Sequence, residues 1–174
     1  MNNKDIASKS RRLSYLLRHD KGAFHDGRID YHGWRIVSEI IGLGFTQQEL
    51  DEIVKTNDKK RFEYSSDRLR IRARQGHSIN VDVELREMTP LDVLYHGTAT
   101  KSVESILKNG IVPSSRLYVH LSLDEATAIK VGSRHGSPYV FKIDCKKMVE
   151  DGHKFWISNN GVWLTNKASP IYFI

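Results

Sequence analysis

Two stretches of this chain carry residue types suited to phosphate chemistry. "RLRIRAR", residues 68–74, places Arg68, Arg70, Arg72 and Arg74 at every second position, with Leu69, Ile71 and Ala73 between them. Period two is the mark of a half-buried β-strand, and here it implies one aliphatic face and one of guanidinium groups. Just upstream, "DKKR" adds Lys59, Lys60 and Arg61. A charged alternating strand is ordinarily a solvated edge that resists aggregation, for which one or two lysines are enough. Four arginines beside a basic cluster favour phosphate contact instead, because a guanidinium fork matches two phosphate oxygens. The other stretch is "RHD", Arg18 to Asp20. An Arg-His pair at a helix end can simply complement the helix dipole, and the pair alone does not decide for chemistry.

The charge distribution agrees with an anionic partner. Of the net +6, residues 59–74 hold seven basic groups against two acidic ones, a local +5, and residues 4–21 hold six against two, a local +4. The two segments would form one basic surface if they met. A single cysteine, Cys145, rules out an internal disulfide and a cysteine-based zinc site, and points to a reducing cytoplasm. The N-terminus lacks the apolar stretch of a signal peptide, and no apolar run approaches membrane length.

The elements that must position these residues fall into two rhythms. "SKSRRLSYLLRHD" reads as a helix with Leu13, Leu16 and Leu17 on one face and Ser8 or Ser10 as cap. "DGRIDYHGW" is turn-rich, "RIVSEII" a second short helix, and "TQQE" a capping box for a third. Two strands follow, around Phe62 and Leu69, with "SSD" turning between them. Helices followed by a hairpin predict a winged helix over about residues 1–88, with "REMTP" as the linker. From about residue 92 to 174 short strands dominate: "VLYHG", "LYVHLS", "PYVFKID", "FWIS", "GVWLT" and "SPIYFI". One helix there is predicted after Thr98 or Thr100 and stops at Gly110. Another starts at a Ser122–Glu125 capping box. The class is α+β.

No G-x-G-x-x-G and no P-loop occur. His96, His120 and His135 lie on separate strands and loops without metal-ligand spacing, so no metal is expected. His120 and Trp163 read equally well as core residues.

In order along the chain stand "LLRHD", "NDKKRFEYS", "IRARQGHS", "LYHGTAT", "YVHLSLDEATAIKVGSRHGSP" and "NGVWLT". Together these motifs resemble the RNA 2′-phosphotransferase family, from about Lys9 to Thr165. The resemblance implies a winged-helix lobe that binds RNA, followed by an ADP-ribosyltransferase-like lobe that binds NAD⁺ without a Rossmann fingerprint. It also implies the reaction. An internal RNA 2′-phosphate, as at a tRNA splice junction, attacks C1″ of the nicotinamide ribose and expels nicotinamide. The ribose 2″-hydroxyl then takes the phosphate, leaving a plain RNA 2′-OH and ADP-ribose 1″,2″-cyclic phosphate.

Carried over motif by motif, the family's catalytic set falls on Arg18, His19, Arg61 and Arg116. The arginines would hold a phosphate charged at every stage, and His19 would transfer a proton, in a direction the sequence leaves open. NAD⁺ contacts fall on His96, Gly97 and Thr98 in "YHGT", with His120, Ser122 and Arg134. RNA contacts fall on Lys59, Lys60, Arg68, Arg70, Arg72 and Arg74. Arg74 stands where family members often have an uncharged residue and reads as an additional phosphate contact. The expected partners are 2′-phosphorylated RNA and NAD⁺, with no membrane, and the chain is read as a monomer. Two rival readings are a transferase that leaves ADP-ribose on nucleic-acid ends, and a non-enzymatic NAD⁺-sensing winged-helix regulator.

Overall fold

A computed structural model describes residues 3–174, and their contacts divide the chain between Glu84 and Leu85. In the first unit, α1 (Asn3–Arg18) buries Leu13 and Leu17 completely. The helix begins upstream of Ser8 and Ser10, which lie inside it instead of capping it; Asp5 in the first turn complements the dipole. A short α2 (Lys21–His25) follows, unforeseen in the sequence, with Asp20 as its N-cap accepting from the Ala23 N–H at 3.0 Å. Then come β1 (Arg35–Ile36), α3 (Val37–Gly42) and α4 (Gln47–Thr56). The Thr46–Glu49 capping box forms as expected, both reciprocal bonds present. β2 (Phe62–Tyr64) and β3 (Arg70–Ala73) complete an antiparallel sheet in the order β1-β3-β2. Leu50, Ile53, Phe62 and Ile71 pack with the α1 leucines as the core.

The arginine strand differs from its sequence pattern. Arg68 lies outside β3, in the turn, with φ of 61°, and Leu69 is 66% exposed. Ile71 and Ala73 are core, yet Arg72 on the other face is buried too. Its Nε donates to Glu63 at 2.8 Å, its Nη1 to Glu84 at 3.2 Å and to the His32 carbonyl at 3.1 Å, and its guanidinium stacks 4.3 Å from the Trp34 ring. Each neighbour also has a carboxylate: Arg68 with Asp51, Arg70 with Asp30 and Arg74 with Glu63. The strand therefore does not hold out a row of guanidinium groups to solvent. Arg72 is a tie within the unit, and Arg68 and Arg70 are the exposed members. Arg72→Met should cost about 1.5–3 kcal/mol, the range for hydrogen bonds to a charged group, read as a lower melting temperature. Arg70→Ala should leave the melting temperature nearly unchanged.

The second unit contains β4 (Arg86–Glu87), β5 (Val93–Ala99), α5 (Val103–Asn109) and β6 (Val119–Leu121). Next come α6 (Glu125–Gly132), β7 (Pro138–Asp144), α7 (Cys145–Glu150), β8 (Phe155–Ile157) and β9 (Trp163–Thr165). One sheet has the order β4-β8-β9-β6, and β5 pairs with β7. A bridge between Tyr95 and Ser122 joins β5 to the end of β6. Leu94, Phe141, Ile143, Met148, Phe155 and Trp163 form the core.

Four expectations need correction here. The start of "REMTP" is β4, paired with Trp156 and Ile157, so residues 85–88 belong with the second unit. Asp124, not Ser122, caps α6 by accepting from the Thr127 N–H at 2.7 Å. Neither Thr98 nor Thr100 caps α5: Thr98 is in β5, and Thr100 opens a 3-10 turn. "SPIYFI" is a 3-10 turn over Pro170–Tyr172 with one bridge, Ile143 to Phe173, rather than a strand. Mixed helices and short sheets place the whole chain in the α+β class.

Candidate functional site

In the first unit, α1 delivers Arg18 and His19 at its C-terminal end. Arg18 is buried, its Nη1 donating to Ser14 Oγ at 2.8 Å and its guanidinium 5.9 Å from the Phe62 ring. His19 holds its backbone N–H on the Tyr15 carbonyl, and its Nδ1 lies 2.8 Å from Ser78 Oγ. Asp20, third in "RHD", is structural: besides capping α2 it binds Arg35 at 2.9 Å.

Arg61 leads into β2. Its N–H reaches Asn57 Oδ1 at 3.3 Å, and the Lys60 N–H donates to the Asn57 carbonyl at 2.9 Å. That turn places Lys60 at φ 45°, a strained value for a side-chain-bearing residue. The Arg74 N–H donates to the Arg61 carbonyl at 2.9 Å, so the segment after β3 ties the Arg61 turn to the end of α1. His77, in that segment, is buried. Burial first, then the positive charges of Arg18, His19 and Arg72, push its pKa down to about 3, so it is neutral at physiological pH.

In the second unit, a cleft of about 510 Å³ is lined by His96, Gly97, Thr98, Arg116, His120 and Arg134. That volume is ordinary for a small-molecule site. β5 supplies His96, and β6 supplies His120. His96 Nδ1 lies 3.1 Å from the His120 carbonyl; a carbonyl can only accept, so the proton is on Nδ1 and Nε2 is an acceptor in the neutral ring. Burial lowers the His96 pKa, with this hydrogen bond opposing, which keeps the ring neutral. Arg116 Nη1 lies 3.0 Å from His120 Nδ1. An arginine can only donate, so His120 accepts at Nδ1 and carries its proton on Nε2.

Gly97 lines the cleft but has a packing reason of its own. A Cβ there would stand 1.7 Å from the Ala128 carbonyl oxygen, so only glycine lets α6 lie against β5. Gly97→Ala should cost about 1–3 kcal/mol or more, the range for overpacking, seen as a lower melting temperature. An unchanged melting temperature would contradict this role.

Ser122 is spent differently: its backbone exchanges hydrogen bonds with Tyr95 at 2.7 and 2.9 Å, and it does not line the cleft. Trp163 is core. Lys101, Ser114 and Ser115 also line the cleft and went unnoticed in the sequence. The available signal for the two serines is the polar "SSR", Ser114 to Arg116, which lies two residues before β6.

Among the described residues, no helix is long and apolar enough to cross a membrane. Residues 4–167 match the family model described as RNA 2′-phosphotransferase, Tpt1 / KptA family. A protein of Hahella chejuensis named "Probable RNA 2′-phosphotransferase" is 46% identical over 97% of this chain and 94% of its own length. One of the same name from Acaryochloris marina is 45% identical over 97% of this chain and 96% of its own. A third, from Flavobacterium johnsoniae, is 45% identical over 99% and 97%.

Proposed function

Since the chain belongs to the RNA 2′-phosphotransferase Tpt1 / KptA family, we propose that it moves an internal RNA 2′-phosphate onto NAD⁺ in two steps. The observation that carries this reading is the cleft of the second unit. Five of the six residues assigned to NAD⁺ by resemblance, His96, Gly97, Thr98, His120 and Arg134, line it together with Arg116. Its chemistry fits the molecule. Arg116, Arg134 and Lys101 offer cations for a pyrophosphate, and His96 Nε2 offers an acceptor for a ribose hydroxyl or an amide N–H.

The order helix, short helix, strand, helix, helix, strand, strand in the first unit supports a winged-helix reading. The second unit, with its two small sheets, supports an ADP-ribosyltransferase-like reading. Lys59, Lys60, Arg68 and Arg70 are the proposed RNA contacts, and Arg18, His19, Arg61 and Arg116 the proposed catalytic set.

In the first step the RNA 2′-phosphate attacks C1″ and nicotinamide leaves. A phosphate dianion is already a nucleophile, so no base is needed. In the second step the ribose 2″-oxygen bonds to phosphorus, the bond to the RNA 2′-oxygen breaks, and the arginines stabilise the charge that spreads over the phosphoryl oxygens. The test is nicotinamide release from NAD⁺ with RNA carrying one internal 2′-phosphate and with the same RNA carrying a 2′-OH. Release with the first only is expected. Equal release with both would contradict the proposal.

A further inference from the structure

The segment "QGHS", residues 75–78, has no part in the chemistry set out above, yet it is built around Arg18 and His19, two of the proposed catalytic residues. Gly76, at φ 88°, lies against the Arg18 side chain, where a Cβ would meet Cζ and Nε at 3.5 Å. The backbone N–H groups of Ser78 and Ile79 both donate to the Arg18 carbonyl, at 3.0 and 3.4 Å. That carbonyl is among the last of α1, where no further turn of helix is left to supply a partner. Ser78 Oγ then sits 2.8 Å from His19 Nδ1 and 3.4 Å from the Arg18 carbonyl oxygen.

We propose that Ser78 is the positioning residue of His19, holding its ring as the Nδ1–H tautomer so that proton transfer runs through Nε2. The inference rests on the proposed role of His19. A hydroxyl has one proton and two lone pairs. With its proton directed to the Arg18 carbonyl, Ser78 Oγ accepts from Nδ1–H. The same arrangement serves the neutral ring and the imidazolium, because only Nε2 gains or loses a proton. Nε2 then takes the proton of the ribose 2″-hydroxyl as that oxygen bonds to phosphorus. It returns the proton to the RNA 2′-oxygen as the P–O bond breaks, so the proton balance closes on one nitrogen. A carboxylate plays this orienting part in the Ser-His-Asp arrangement. Serine does it without placing a negative charge beside the guanidinium of Arg18, which the RNA phosphate would otherwise have to outcompete.

The tautomer can be read without any reaction. In full-length protein with ¹⁵N-labelled histidine, long-range ¹H–¹⁵N correlation should find neutral His19 protonated at Nδ1, and Ser78→Ala should lose that preference. In the reaction, Ser78→Ala should slow the second step by about tenfold to a hundredfold, less than the 10²–10⁴ of a whole acid–base contribution. Nicotinamide release should change by no more than a few fold, and Ser78→Thr should restore the rate. Ser78→Asp should move the pH–rate profile of the second step to higher pH by about one unit, since a carboxylate favours the imidazolium. If Ser78→Ala does not fold, the threonine and aspartate variants carry the test. His19 protonated at Nε2 in the native protein, or an aspartate variant with an unmoved profile, would overturn the inference. Native protein that holds the Nδ1–H tautomer but does not turn over 2′-phosphorylated RNA would contradict the proposed function and leave the positioning of His19 standing.

Discussion

Arg61→Ala and Arg116→Ala should each accumulate RNA carrying ADP-ribose on its 2′-phosphate, visible as a slower-running band. The reason is where charge develops. In the proposed first step positive charge builds on the ribose, which an arginine holding the phosphate would not stabilise. In the proposed second step phosphorus is attacked, and fixed guanidinium donors would act on the oxygens as their charge grows. Losing one such donor costs about 10²–10³ in rate, or roughly 3–4 kcal/mol. With the first step less affected, the second becomes rate-limiting and its substrate builds up. The hydrogen bond to His120 Nδ1 at 3.0 Å fixes the Arg116 guanidinium, as the proposed role requires. His120→Ala should therefore reproduce the Arg116→Ala effect in weaker form. Equal slowing of both steps with no intermediate band would make the arginines general phosphate-binding groups.

Arg35→Met should destabilise the first unit by about 3 kcal/mol, the low end for breaking a buried ion pair. The Arg35 side chain is fully buried, donating to Asp20 at 2.9 Å, Glu39 at 2.6 Å and the Leu16 carbonyl at 3.0 Å. Methionine fills much of the space and removes the charge, leaving Asp20 without its ion-pair partner and Glu39 with the exposed Arg28. The low end applies because both carboxylates keep about a quarter of their surface, 23% and 24%.

The pH dependence follows with its sign. The Arg35 hydrogen bond, opposed by partial burial, holds Glu39 below the usual glutamate range. Burial pushes Asp20 up, but the Ala23 N–H and Arg35 outweigh it, and the net direction is down. Both folded pKa values lie below the unfolded ones near 4. Their stabilisation is thus complete above about pH 4 and lost as pH falls through the folded values. Melting temperature against pH should drop steeply there in the native protein and less steeply in Arg35→Met. Parallel curves would contradict the assignment.

What could be read from the sequence was local. The Thr46–Glu49 box and the Gly110 stop depend on residues within one turn, and both formed. Of the three leucines at helical spacing, Leu13 and Leu17 are fully buried in the core and Leu16 packs against it half-buried. The failures have partners far along the chain. The alternation of residues 68–74 gave the strand but not the burial of Arg72, because Trp34, Glu63 and Glu84 close over it from three other segments. Charge counting does not see that Arg72 is spent inside the unit, while Arg68 and Arg70 stay exposed. In "RHD" the sequence marked Arg18 and His19, while the role of Asp20 depended on Arg35, fifteen positions away. Gly97 lines the cleft as expected of a ligand contact, but its close approach to Ala128 is invisible until α6 is in place. Ser78 carries no local signal, because its partner, His19, lies 59 residues upstream.

Whole transfer of the RNA phosphate to the NAD⁺-derived ribose, as proposed, fixes where its phosphorus must end. RNA labelled with ³²P at one internal 2′-phosphate should, with NAD⁺, yield all of its label in ADP-ribose 1″,2″-cyclic phosphate and leave unlabelled RNA with a 2′-OH. Label released as inorganic phosphate, or retained on the RNA as a final ADP-ribosylated product, would contradict the account.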